Sequence, residues 1–200
     1  MNLTSFFSQL KSRDWRNLGR LFRNHRWERD DDGDILIGHA RIGGVFECEA
    51  PDGLGAIRTR NLLTTEGCNY LLSVGIANGT QYSTFYVAPF SGNVAVADTL
   101  TAANFASTQT ELTTQYSEST RVAFVESTPA SKSTNNTASP ATVTAATDSV
   151  SIWGLGLLSL STKGGTTGVL LAAAKYASVR TLPTTGDTLG IKYTLTLANS

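Results

Sequence analysis

The chain is 200 residues long, with 16 Lys and Arg against 16 Asp and Glu and a formal net charge of zero. That length suits one domain with an appendage and needs no disulfide or metal staple to bury a core. The balanced charge gives the whole molecule no strong pull on nucleic acid or membrane. Only 16% of residues are charged, against about 25% in an average globular protein, which predicts surface covered by a partner or by copies of the chain.

Residues 1–29 read as a basic amphipathic arm. Lys11, Arg13, Arg16, Arg20, Arg23, Arg26 and Arg29 stand against Asp14 and Glu28, seven cations less two acids, a net of five. Thr4 or Ser5 caps a helix in which Phe7, Leu10, Trp15, Leu18, Leu21 and Phe22 make an apolar stripe, with the arginines largely off it. Gly19 weakens its middle by up to about 1 kcal/mol. Such a helix can lie on a membrane, touch nucleic acid, dock on a protein by its stripe, or fold back on its own domain. The large aromatics favour a protein partner, and the acidic segment that follows would repel phosphate. The candidate partner-binding residues are therefore Phe7, Leu10, Trp15, Arg16, Leu18, Arg20, Leu21, Phe22 and Arg23.

Residues 30–60 read as an acidic turn and a hairpin connector. Glu28, Asp30, Asp32, Gly33 and Asp34 sit at offsets that imitate a calcium loop, but His39 stands where a bidentate Glu is required. A solvated turn is the better reading, and no metal is expected. Beyond it, Ile35, Ile37, Val45, Phe46 and Cys48 favour strands, with turns expected at Gly43–Gly44 and at Pro51–Gly53.

Residues 61–200 read as a Thr/Ser-rich β-sandwich opened by one short helix. Thr and Ser fill 42 of these 140 positions, and threonine's branched Cβ fits a pleated strand. Asn61 or Thr64 caps the helix over Thr65–Val74, where Leu63, Tyr70, Leu71 and Val74 give a buried face that plugs an open end of the β core. Apolar runs of strand length then recur: "STFYVAPF", "TRVAFVES", "ATVTAA", "SIWGLGLLSL", "GVLLAAAKYAS" and "DTLGIKYTLTL". Turn-prone residues separate them, and "STKGGTTG" suits a hairpin turn. Leu189, Ile191, Tyr193, Leu195 and Leu197 alternate with smaller or polar residues as in a half-buried strand. Many short strands at this spacing predict an all-β sandwich, immunoglobulin-like or jelly-roll-like.

The residues for chemistry are sparse. His25 and His39 lie in no nucleophile elbow or zinc helix. Glu111, Glu118 and Glu126 could in principle supply a glycosidase pair, but strand-end and loop charges are the plainer reading. Cys48 and Cys68 have no metal-ligand or CxxC spacing and read as buried free thiols, with a disulfide between them as the alternative. No apolar run approaches the roughly 18 residues of a membrane span, and the N-terminus lacks a signal-peptide pattern. Neither enzymatic activity nor a cofactor is expected.

The blocks "NLLTTEGCNYLL", "TQYSTFYVAPFSGN", "TELTTQYSESTRVAFVE", "SIWGLGLLSLSTKGGTTGVLLAAAKYAS" and "GDTLGIKYTLTL" resemble, in order, those of a family of small virion structural proteins of tailed bacteriophages, especially short-tailed ones. The resemblance covers about residues 35–200. It implies a virion location after assembly in the host cytoplasm, a homo-oligomeric body and no catalytic residues. Two roles follow. A capsid decoration or cement protein would bind the major capsid protein of the assembled shell and stabilise it. A head–tail junction or tail component would serve as an adaptor, collar or fibre-anchoring protein. A weaker third reading is a glycan-binding host-recognition module, with Tyr82, Tyr86, Tyr116 and Trp153 as stacking surfaces, although aromatics at strand positions are more often core.

Overall fold

The computed structural model describes residues 40–199. The apolar runs become ten strands and two helices among the described residues: β1 (Ala40–Glu49), β2 (Ile57–Arg60), β3 (Leu62–Leu63), α1 (Thr65–Gly75), β4 (Phe85–Phe90), α2 (Ala102–Thr108), β5 (Val122–Phe124), β6 (Ser133–Asn135), β7 (Ala141–Thr144), β8 (Val150–Leu158), β9 (Leu170–Leu182) and β10 (Thr188–Asn199). The domain is mainly β, with two antiparallel sheets consistent with a β-sandwich. The first has the order β2-β1-β10-β6, with β7 also on β10; the second has the order β3-β9-β8-β4-β5.

β10 organises the first sheet. Its Thr188–Ile191 stretch pairs with β7 and its Thr194–Thr196 stretch with β6. Asn136 fills the gap between them, donating to the Ile191 carbonyl at 3.1 Å and accepting from the Tyr193 amide at 2.7 Å. The expected alternation holds for Leu189, Ile191 and Tyr193, which are buried; it fades at half-buried Leu195 and fails at Leu197, which is 45% exposed.

The main core lies where inward residues of both sheets meet. Phe46, Val143, Leu189, Ile191 and Tyr193 come from the first sheet; Val87, Ile152, Leu155, Leu157 and Tyr176 come from the second. Each such aliphatic or phenylalanine side chain contributes about 1.5–3 kcal/mol on burial. The second sheet is also covered on its other face. There Ala88, Phe90, Leu158, Leu170 and Ala173 pack with Phe105 of α2 and with Leu100. Burial on both faces explains why "VAPF", "GLGLL" and "LLAAA" are continuous apolar runs rather than alternating ones. Gly156 is required by this second layer, because a Cβ there would meet the Phe105 ring at 2.6 Å.

Of the two expected turns in residues 40–60, one needs correction. Gly43–Gly44 is not a turn but lies inside β1. Gly44 is there because the Tyr193 ring occupies the space a Cβ would take. The Pro51–Gly53 turn does close the β1–β2 hairpin, with Gly53 at φ 76°, and that hairpin belongs to the first sheet.

Helix α1 is capped by Thr64, whose Oγ1 accepts from the Gly67 amide at 2.9 Å and donates to the Leu170 carbonyl. Asn61 is not the cap; its side chain binds the Gly44 amide and the Tyr193 hydroxyl. The helix packs on β9, with Gly67 pressed on the Leu171 backbone, and Leu63, Tyr70 and Leu71 pack against the main core as expected. Tyr70, Leu71 and Val74 are only half-buried, and Gly67 is the one buried helix residue. Leu63 belongs to β3. α2 has no counterpart among the expected elements.

Candidate functional site

Phe7, Leu10, Trp15, Arg16, Leu18, Arg20, Leu21, Phe22 and Arg23 lie outside the described residues, as do the Glu28–His39 loop and His25. Among the described residues no group of three His, Cys, Asp or Glu is placed to hold a metal ion.

The carboxylate expectation changes most. Glu111 is not a loop charge but a buried member of a forked ion pair. Arg121 Nε and Nη2 each donate to one Glu111 oxygen at 2.7 Å, and both side chains are fully enclosed. The same guanidinium donates to the Leu160 and Gly165 carbonyls at 2.9 and 3.1 Å, and Glu111 accepts from the Gly164 amide at 3.1 Å. The pair therefore ties the β8–β9 turn, the one predicted from "STKGGTTG", to the segment before β5. Lys163 completes the cluster, donating to the Tyr116 carbonyl at 2.9 Å with its ammonium 3.4 Å from that ring's centroid. Desolvation lowers the Lys163 pKa, with Glu118 and Glu111 opposing. Tyr116 is core rather than a stacking surface, and burial raises its phenol, with Glu111 adding to the rise. Glu118 accepts from the Thr144 amide.

A second buried charge sits at the other end of β9. Arg180 Nη2 is 2.8 Å from Asp52 Oδ1, a charge contact without hydrogen-bond geometry, and Asp52 Oδ2 accepts from the Thr181 amide at 3.3 Å, which holds the β1–β2 turn against β9. Nearby, the Cys48 thiol contacts the Tyr176 hydroxyl at 2.8 Å. Desolvation pushes Cys48 up to about 12, with the Tyr176 contact and Arg180 pulling the other way. Desolvation raises Tyr176 as well. Cys48 is a buried free thiol as expected, whereas Cys68 is only half-buried. A third anchor is Glu66, whose Oε2 accepts from the Ala102 and Leu170 amides at 2.8 and 2.7 Å, joining α1, α2 and β9.

These ionised groups act as internal fasteners. One concave feature is a groove of about 470 Å³ between β2 and β9, with Arg58, Arg60 and Lys175 on its walls and no carboxylate among the described residues that line it. It exists because the chain changes sheets there. Asn61 still bonds Gly44 of the first sheet, at 3.0 Å from its amide, while Leu62 already pairs with Ala173 of the second. Strands that cross over in this way build the corners between packed sheets. "IRTR" carried the signal: two arginines two residues apart share one face of a strand, and both are exposed. The alternation was legible, but which other strand lies opposite was not. Arginines on an edge strand also discourage unwanted pairing with other chains.

The aromatics divided in other ways. Trp153 is half-buried with Lys175 Nζ 4.9 Å from its ring centroid, and Tyr82 is 41% exposed, packed on Tyr70 and Phe85. No family model matches the chain, and no curated protein and no solved structure matches it.

Proposed function

We propose that the chain is a structural component of a tailed-bacteriophage virion, acting as a decoration protein that binds the assembled capsid shell. The carrying observation is how the ionised side chains are used. Glu111, Arg121, Asp52, Arg180 and Glu66 fasten turns and helices to the sheets, leaving a stiff body. On its surface Leu72 of α1 and Ile76, the residue that caps its C-terminal end, are 58% and 82% exposed. The Ile76 amide donates to the Leu72 carbonyl at 3.0 Å, so these two form an apolar spot suited to cover by a neighbour. The low charge of the whole chain and the ordered sequence blocks support the same reading. In it the sandwich is of an immunoglobulin-like or jelly-roll-like kind, and the basic arm, residues 1–29, anchors it to the major capsid protein. A ligand that binds only the assembled shell stabilises it by mass action.

Counting copies in purified particles by quantitative mass spectrometry tests the proposal. Hundreds per particle fit decoration; roughly a dozen or fewer fit a ring at the head–tail junction or tail; none ends the virion reading. Deleting residues 1–29 is expected to leave the β body folded and abolish incorporation, and normal incorporation would refute the anchoring role. Within the arm, Leu18→Ala with Phe22→Ala is expected to release the protein more readily than neutralising Arg16 and Arg23. Buried apolar side chains contribute about 1.5–3 kcal/mol each and exposed ion pairs about 0–1.

A further inference from the structure

The groove between β2 and β9 has two properties that call for one kind of occupant. The first is a strand edge that the described residues leave unfinished. β3 covers β9 only at Ala172 and Ala173, while β9 continues to Leu182. The Ala174 carbonyl lies against Gly154 of β8, so by strand alternation the amide and carbonyl of Lys175 point away from β8, into the groove. β2 is likewise the outer strand of the first sheet. The second property is spaced positive charge. Arg58 and Arg60 are exposed on the same face of β2, and Lys175 also lines the groove, with its ammonium 4.9 Å from the Trp153 ring centroid. Glu47 approaches Arg58 alone, at 3.2 Å and near the solvent. The stretch of β9 that lines the groove carries small side chains, Ala173, Ala174 and Ala177.

We propose that this groove docks an extended segment of a partner protein carrying two carboxylates two residues apart, which adds to the open edge of β9 in line with β3. Strand addition supplies the main-chain hydrogen bonds, and side chains at alternate positions supply selectivity. The arginine pair has the two-residue repeat of a strand, so carboxylates on one face of the incoming strand meet Arg58 and Arg60 in register. A nucleic acid would answer the charge but not the free amide and carbonyl of the edge, which is why a protein segment is favoured. This inference goes beyond the virion reading, and its test uses the full-length chain alone in solution, so its failure leaves that reading standing.

The probe is a fluorescein-labelled hexapeptide with aspartates at its second and fourth positions and threonine or valine elsewhere, followed by fluorescence anisotropy. Controls are the same peptide with adjacent aspartates, one with N-methylated backbone amides, and a short oligothymidylate. The spaced peptide is expected to bind, and both peptide controls to bind several-fold more weakly. Arg60→Glu is expected to weaken binding by roughly tenfold or more, as reversal of a paired charge does, with unchanged thermal unfolding. Lys175→Glu is the second variant should Arg60→Glu fold poorly. Equal binding of all three peptides would overturn the proposal, as would tighter binding of the oligothymidylate, no binding of any peptide, or wild-type affinity in the folded charge-reversed variant.

Discussion

Replacing Glu111 by alanine should reveal how much of the domain hangs on one enclosed ion pair. The substitution leaves the Arg121 guanidinium buried with two carbonyl acceptors, Leu160 and Gly165, in place of a forked carboxylate. It also strips the Gly164 amide of its acceptor. Breaking a buried pair from one side costs about 3–5 kcal/mol, because a charge remains without its counter-charge. For a chain of this size each kcal/mol shifts Tm by about 2–4 °C, so Glu111→Ala should melt roughly 6–20 °C below the wild type. Replacing both partners with apolar residues, Glu111→Leu with Arg121→Met, removes the stranded charge and should recover at least half of the loss. Differential scanning calorimetry measures both. Limited trypsinolysis adds a local readout, since cleavage after Lys163 should accelerate in the single variant. A single variant melting within about 2 °C of wild type would refute the reasoning, as would a double variant as unstable as the sum of its singles.

Three further outcomes follow from the same packing. Ile191→Asp places an unpaired carboxylate in the core between the sheets and should cost several kcal/mol, seen as loss of soluble protein or a large drop in the urea midpoint; unchanged melting would put Ile191 at the surface. Gly156→Val should clash with the Phe105 ring and destabilise by about 1–3 kcal/mol, with partial rescue by Phe105→Leu in the same denaturation assay. Cys48 should resist a thiol reagent at pH 8.5 in the native state while Cys68 reacts, because burial keeps the Cys48 thiol neutral. Its pKa is raised on folding, so its contribution to stability is complete below the unfolded value, near 8.5, and is lost as pH rises toward about 12. The buried tyrosines add to the same slope, so the measurement is the difference between wild type and Cys48→Ala across that window. Equal slopes would refute the assignment.

The features readable in advance were the local ones. Pro51–Gly53 turned the chain, Thr64 capped α1, and Leu189, Ile191 and Tyr193 lined one face of β10, because each depends on residues within a few positions. What escaped was set by distant neighbours. Gly43–Gly44 carries a dipeptide that usually turns, yet here the Tyr193 ring on the neighbouring strand demands the missing Cβ. α2 has seven residues, and its one local sign is the Thr101 amide bonded to the Asn104 side chain at 2.8 Å. It exists chiefly because Phe105 covers Gly156 and meets Phe90 edge-on at 5.9 Å. Glu111 and Arg121 are ten residues apart in sequence, a spacing that announces nothing until the β8–β9 turn encloses them. The groove was half legible: the arginine repeat could be read, whereas the unfinished edge opposite it depends on where β3 stops.

The position of β10 has a kinetic consequence. It pairs with β6 and β7 along one side and adjoins β1 along the other, yet it follows all of them in the chain. During synthesis the first sheet has no spine until β10 leaves the ribosome. β1 and β2 can meet early as a hairpin, but β6 and β7 have only scattered main-chain bonds to earlier described segments, such as Ser127 to Asn135 and Ser117 to Thr144, and no strand ladder. The second sheet differs, since β4, β5, β8 and β9 have all emerged before β10. A nascent or prematurely terminated chain would therefore present one assembled sheet with its inner apolar face bare, a species prone to aggregate. Closing contacts of such long sequence separation also places folding among the slower classes, in milliseconds to seconds. The strand that completes the core last thereby times when the molecule becomes safe to accumulate.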